Sequence, residues 1–216
     1  MNAQTEKFTL TGAAGAIEAL RDQPSLEGGL VAPRGVAVLT HPHPLFGGTM
    51  DNKVVQTLAR AFVQCGWTTV RFNFRGVGAT EGVHDDGRGE LQDLLAVVQQ
   101  AAPEGPLALA GFSFGAFVTS HAVEALWAPR QMDKIVLVGT AASRFTVAPV
   151  PADAHLRTLV LHGEQDDTVP LAAVLDWARP QTLPVTVVPG GGHFFHGQLP
   201  LLKNLVVRHL EEGRPR

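Results

Sequence analysis

Three stretches of this chain carry, in order, a serine between glycines, a cluster of acids and a histidine behind three glycines. They are Gly111-Phe112-Ser113-Phe114-Gly115, His162-Gly163-Glu164-Gln165-Asp166-Asp167 and Gly190-Gly191-Gly192-His193. Together these residue types could perform nucleophilic acyl transfer. A serine hydroxyl is a weak nucleophile at neutral pH, so an imidazole must take its proton and later return it to the leaving group. The imidazole needs a carboxylate that fixes its tautomer and stabilises its charged form. The tetrahedral intermediate needs two N–H donors. The expected roles are Ser113 as nucleophile, His193 as base and acid, and Asp166 as orienting carboxylate. Asp167 and Glu164 stand as alternatives for the acid, and His196 for the base. A plain helix-capping role is the competing reading of Asp166, and a capping or surface role that of His196.

Five residues around a serine say little without their flanks. Pro106-Leu107-Ala108-Leu109-Ala110 reads as a short buried strand, and Phe117, Val118, His121, Ala122, Ala125 and Leu126 fall at helical spacing. A serine on a tight strand-to-helix turn is a nucleophile elbow. The flanking glycines suit a turn that is cramped and left-handed in tendency. The helix that follows aims its first N–H groups at a developing oxyanion. The Phe114 N–H is expected to be one donor. The second is expected from the loop that begins at His41, with the His43 N–H first and the Leu45 N–H second, because Pro42 and Pro44 have no N–H. Pro44 also holds His43 extended. Phe46, Phe112, Val169 and Phe194 are the expected substrate contacts, with Phe114 and Phe195 as further candidates.

The elements that must carry these residues alternate. Phe8–Leu10 and Ala16–Leu20, split by Gly12 and Gly15, read as an opening hairpin. Strands are expected at Gly35–Thr40, Trp67–Phe74, Lys134–Val138, Thr158–Leu161 and Val185–Val188. Helices are expected behind Asp51 as cap (Val54, Val55, Leu58, Ala61 and Phe62 inward, stopped by Gly66), over Glu90–Ala102 and over Leu171–Ala178. A closing helix carries Leu201, Leu202, Leu205, Val206 and Leu210. This order predicts an α/β fold: a mostly parallel twisted sheet with helices on both faces. Working groups then belong at the carboxyl ends of the strands. His41-Pro42-His43-Pro44, Ser113, the acid cluster and the Gly190–His196 turn all meet that condition.

The chain has 216 residues and a formal charge of −3, without long charged runs. One domain over 1–216 is expected, and nucleic acid and anionic membrane are poor partners. Cys65 is the one cysteine, so an intrachain disulfide is excluded, and its expected place is the core. Met1–Lys7 has no apolar signal core and no segment is long enough to span a bilayer, which predicts a cytoplasmic protein. The histidines at 41, 43, 162 and 193 match no zinc spacing, so neither metal nor cofactor is expected, and His41 reads as a buried histidine bonded to backbone. Arg75-Gly76-Val77-Gly78 is only part of a dinucleotide fingerprint; shaping the loop after its strand, with Arg75 paired to an acid, is the simpler role. Monomer and homodimer both stay open.

The chain resembles the α/β-hydrolase superfamily, and within it small lidless bacterial serine hydrolases related to dienelactone hydrolases. The resemblance runs through His41–Val55 (HPHPLFGGTMDNKVV), Phe72–Gly78 (FNFRGVG), Gly111–Gly115, His162–Asp166 with Val169-Pro170, and His193-Phe194-Phe195. It implies a Ser-His-Asp triad and a site without a cap, consistent with a stretch from Ala141 to Leu156 too short for a helical lid and read as a plain loop. Dienelactone hydrolases carry cysteine at the elbow. Ser113 therefore points to ordinary ester hydrolysis: a carboxylesterase for small acyl esters, acting on a small-molecule ester through an acyl-enzyme. A thioesterase or acyl-peptide hydrolase with the same triad, and a non-catalytic binding scaffold, are the alternatives. Haloalkane or epoxide chemistry is a third, weaker reading: those enzymes need aspartate at the elbow, and Ser113 argues against it.

Overall fold

The computed structural model describes residues 5–25 and 32–212; the first four residues of the polar N-terminal stretch lie outside them. Eight strands form one sheet: β1 (Glu6–Gly12), β2 (Gly15–Asp22), β3 (Val36–Thr40), β4 (Thr68–Phe72), β5 (Leu107–Phe112), β6 (Lys134–Val138), β7 (Thr158–Gly163) and β8 (Val185–Val188). Their order across the sheet is β1-β2-β4-β3-β5-β6-β7-β8. β1 and β2 are the expected hairpin, and β2 pairs antiparallel with β4. Every pair from β4 through β3 to β8 is parallel.

The inner strands read as unbroken apolar runs because both faces are covered. Side chains alternate between those faces with the period of two that a strand imposes. Val38, Leu107, Leu109, Ile135 and Leu137 pack under α2 (Arg88–Ala101), α3 (Phe114–Trp127) and α4 (Leu171–Ala178). Leu39, Ala108, Ala110, Phe112, Val136 and Val138 pack under α1 (Lys53–Gln64) and α5 (Leu199–Glu211).

Local chemistry moves several boundaries from their expected places. Asn52, not Asp51, caps α1: its side-chain oxygen accepts from the Val54 N–H at 2.9 Å. The Asp51 carboxylate turns instead to the Arg71 guanidinium at 3.3 Å. β4 ends at Phe72, short of the expected Phe74; Asn73 N–H still donates to the Glu18 carbonyl at 3.0 Å, while its side chain accepts the Met50 N–H and donates to the Glu18 carboxylate. α2 starts at Arg88, two residues before Glu90, whose buried carboxylate reaches back to accept the N–H groups of Asp85 (3.0 Å) and Gly87 (2.9 Å). The expected plain loop to Leu156 ends in a 3-10 turn, Ala152–Arg157. Arg75 does meet an acid: a two-pronged, buried bond to Asp93 at 2.9 and 2.7 Å ties the loop after β4 to α2.

From β3 the chain runs through α1 to β4 on one side, then crosses back through α2 to β5 on the other. The order in which strands are added thus reverses between the parallel neighbours β3 and β5, which opens a crevice at their carboxyl ends. Ser113 follows β5 at that crevice, and His41 follows β3.

Candidate active site

Ser113 holds φ 58° and ψ −118° between β5 and α3. Such a conformation costs a non-glycine residue on the order of 1–3 kcal/mol and persists only where its surroundings enforce it. The left-handed residue is thus the serine; neither Gly111 nor Gly115 has a positive φ. The glycines serve close approach instead. A Cβ on Gly111 would stand 2.6 Å from Thr40 Oγ1 and from the Gly115 carbonyl carbon, and one on Gly115 would stand 2.6 Å from the His41 carbonyl oxygen. Thr40 closes the clamp: its Oγ1 donates to the Gly115 carbonyl at 2.9 Å and lies 2.8 Å from Thr119 Oγ1. A serine at a helix N-cap ordinarily accepts an N–H of the first turn. Ser113 makes no such bond, so its hydroxyl is free for another partner.

That partner is His193. Ser113 Oγ lies 2.9 Å from His193 Nε2, and His193 Nδ1 lies 2.7 Å from Asp166 Oδ2. All three residues are buried. Asp166 stands three residues past β7 and His193 five past β8. The other Asp166 oxygen accepts the N–H groups of Thr168 (3.0 Å) and Val169 (2.7 Å). Burial works to raise the Asp166 pKa, but the His193 bond and the Val169 N–H outweigh it and hold the carboxyl below its ordinary range. Asp166 is therefore a fixed anion, and an anion there keeps a proton on His193 Nδ1 and leaves Nε2 to accept from the serine. The alternatives point elsewhere. Asp167 is exposed and reaches only Thr168 Oγ1 at 3.4 Å. The Glu164 carboxylate accepts the Gly190 N–H. His196 is exposed, three residues short of α5 rather than at its start. His162 Nε2 lies 2.9 Å from the Val169 carbonyl oxygen, so it donates there and braces the acid loop.

The two N–H groups expected from the loop after β3 differ in availability. The Leu45 N–H donates to His43 Nδ1 at 3.2 Å, and its side chain points outward, 69% exposed. Leu45 is thereby removed as a donor. Among the described residues no acceptor takes the His43 N–H. On the other side, Phe114 is the first residue of α3, and the first N–H groups of a helix have no intrahelical partner.

His41 is the buried histidine its position suggested. Its Nδ1 donates to the Pro42 carbonyl at 2.6 Å, and its Nε2 accepts the Phe74 N–H at 3.0 Å. It thus joins the ends of β3 and β4 as a neutral ring. Burial pushes its pKa down to about 4, against the Pro42 bond. His209 in α5 is pushed to about 4 as well, by burial first and the Lys134 charge second. An unfolded histidine titrates near 6.5, so between pH 6.5 and 4 the unfolded chain binds protons that the folded one refuses, and stability falls as pH is lowered. Each group should account for about 3 kcal/mol of that loss, which levels off below pH 4. Urea midpoints measured from pH 7 to 4 should drop across this window, with a shallower slope in His209→Gln. A midpoint unchanged between pH 6.5 and 4.5 would contradict it.

A cavity of about 320 Å³ opens beside Ser113. Phe46, Val169 and Phe194 line it as expected, together with Phe114. Phe112 does not. On β5 it shares a face with Ala108 and Ala110, so its ring lies in the core under α1 and α5, 4.9 Å from the back of the His193 ring. Phe195 is likewise wholly buried in that core. Asn52, from the His41–Val55 stretch, also lines the cavity; Thr168, Arg144 and Phe145 do so with no signal in the sequence. The last two come from the irregular stretch after β6. Among the described residues no His, Cys, Asp and Glu side chains group as a metal site would require, and no helix is long and apolar enough to cross a membrane.

Comparison with known proteins gives this geometry a family. A family model described as Hydrolase_4, serine aminopeptidase, S33, matches residues 32–154. The structure of XC6422 from Xanthomonas campestris, described as an α/β serine hydrolase without a lid, is 34% identical with a TM-score of 0.86; the match covers 100% of this chain and 98% of that one. An α/β serine hydrolase homologue from Coxiella burnetii is 36% identical with a TM-score of 0.78, over 95% and 97% of the two chains. RP471 of Rickettsia prowazekii, an uncharacterized protein, is 41% identical over 92 residues, which span 41% of this chain and only 39% of that relative. The chain belongs to the Hydrolase_4 family and, with it, to the lidless serine hydrolases of the α/β-hydrolase superfamily.

Proposed function

We propose that this member of the α/β serine hydrolases is a carboxylesterase that cleaves small acyl esters through an acyl-serine intermediate. The observation that carries the reading is the unbroken relay from Ser113 Oγ through His193 to Asp166, at 2.9 and 2.7 Å, beside a cavity. As Oγ attacks the ester carbonyl carbon, His193 Nε2 takes the hydroxyl proton and Asp166 stabilises the resulting imidazolium without being protonated itself. The oxyanion is received by the Phe114 and His43 N–H groups. Collapse breaks the carbon–oxygen bond to the alcohol, which leaves with the proton from His193. Water then gives a proton to His193 and adds to the acyl carbon. The second collapse returns that proton to Ser113 and releases the acid, so the sum is ester plus water to acid plus alcohol.

Intact-mass spectrometry after exposure to a fluorophosphonate tests the reading. The wild type should gain one adduct, by displacement of fluoride at phosphorus, and Ser113→Ala none. A folded wild type that takes no adduct would put the non-catalytic scaffold ahead. The description of the family as serine aminopeptidase supports a second reading, cleavage of an amide by the same relay. A matched ester, thioester and anilide of one acyl group separate these: the esterase reading requires the ester to have the highest kcat/KM.

A further inference from the structure

The cavity beside Ser113 is lined by one permanently charged side chain, Arg144, and by no carboxylate. Asp166 sits behind His193, already bonded by that ring and two N–H groups. Of the other acids on this side, Glu90 and Asp85 are held by hydrogen bonds and Asp86 is exposed to solvent. Asp86, on the rim of an adjoining hollow that Arg144 shares, faces His84 Nε2 at 3.3 Å; Glu90 faces His84 Nδ1 at 2.8 Å; and Asp85 pairs with Arg88 at 2.8 Å. Among the described residues no carboxylate pairs with Arg144. A lone exposed arginine is commonplace, but one at the wall of a cavity that holds an activated serine can select what enters.

Its position identifies the part of the substrate it meets. Arg144 adjoins Phe145, whose ring lies 5.2 Å from Phe114 and 5.9 Å from His43, the two residues that offer the N–H groups. His193 packs instead on Phe194 at 5.0 Å and on Phe112 at 4.9 Å, and among the described residues no ring contact joins either His193 or Phe194 to Phe145. The leaving alcohol must depart toward His193 to collect its proton, so the acyl chain extends toward Phe145 and Arg144. Phe46, 78% exposed, and Phe145 give that chain apolar walls. A guanidinium matches a carboxylate with two parallel N–H···O bonds. An aminopeptidase has the reverse need. It must hold an α-ammonium beside the scissile carbonyl, since an α-amino group titrates near 8, and this cavity offers no carboxylate for it.

We infer that Arg144 selects esters whose acyl part ends in an anion, such as half-esters of dicarboxylic acids, over neutral and ammonium-bearing ones. This rests on the esterase reading. The test compares ethyl hydrogen adipate, ethyl hexanoate and ethyl 6-aminohexanoate, followed by acid release in a pH-stat at pH 7. The wild type should favour the adipate over the hexanoate. That ratio of kcat/KM should fall about five- to tenfold in Arg144→Gln, the range for one exposed charge-assisted contact. Arg144→Lys should keep part of it, and Arg144→Glu should turn preference toward the aminohexanoate. Added salt should shrink the wild-type ratio, because the guanidinium is open to solvent. A wild-type ratio at or below one, or the same ratio in Arg144→Gln, would overturn the inference while leaving the esterase standing. Cleavage of none of the three esters would bring down the esterase reading, and this one with it.

Discussion

Ser113→Ala should lower kcat for ester hydrolysis by about 10⁴- to 10⁶-fold, the range found when a relay loses its nucleophile. The fold should scarcely notice. Ser113 makes no capping bond to α3, so removing its oxygen strips no partner from the helix. Alanine must adopt the same φ of 58° under the same clamp, and the strain is carried over unchanged. The N–H groups of Phe114 and His43 stay in place, so a weak residual rate above the uncatalysed reaction is expected from oxyanion stabilisation alone. Ser113→Gly separates strain from chemistry. It should lose the same activity yet gain about 1 kcal/mol of stability, because glycine occupies the left-handed region without penalty. Steady-state kinetics and urea melts of the two variants check both halves. An alanine variant that retains more than a hundredth of wild-type kcat would remove Ser113 from its role.

Asp166→Asn should cost about 10⁴-fold in kcat, whereas Asp167→Asn should stay within a few-fold of wild type. The asparagine carbonyl can still accept the Thr168 and Val169 N–H groups, which leaves its amide NH₂ facing His193 Nδ1. That arrangement inverts the imidazole. Nδ1 must accept, Nε2 carries the proton toward Ser113, and no base remains for the hydroxyl. Asp167 has no contact through which to exert such an effect. Equal losses in the two variants would mean that the carboxylate acts by general electrostatics rather than by setting the tautomer.

The sequence made much of this site legible, for physical reasons. Strands buried on both faces must be apolar throughout, so the strand ends, and the polar residues just past them, stand out. Chemistry then limits which serine, acid and histidine can act together. The misses have equally specific causes. Asp51 and Asn52 are both good capping types, and only the position of Arg71 decides that the aspartate turns away. The Leu45 N–H looked as usable as that of His43 until the His43 ring folded back to accept it. Phe112 could have been excluded from the strand alternation alone, since Ala108, Ala110 and Phe112 share a face that the helices cover. Arg144 and Phe145 had no such signal. They lie outside any periodic element, and only tertiary packing carries them to the cavity.

That irregular stretch has an evolutionary consequence. The Ser113–His193–Asp166 relay and the Phe114 and His43 N–H groups hang from the ends of β3, β5, β7 and β8, while Arg144 and Phe145 follow β6. Phe145 N–H folds back on the Ala141 carbonyl at 3.1 Å, so the backbone of the turn closes on itself, while the Phe145 ring stacks on Phe117 at 4.7 Å and Arg144 stays exposed. A lineage can therefore change Arg144 and its exposed neighbours with little pleiotropic load on the relay, whereas Phe145 is held by its ring contacts. Substrate range becomes the trait free to drift and be selected, and reaction type the one held constant.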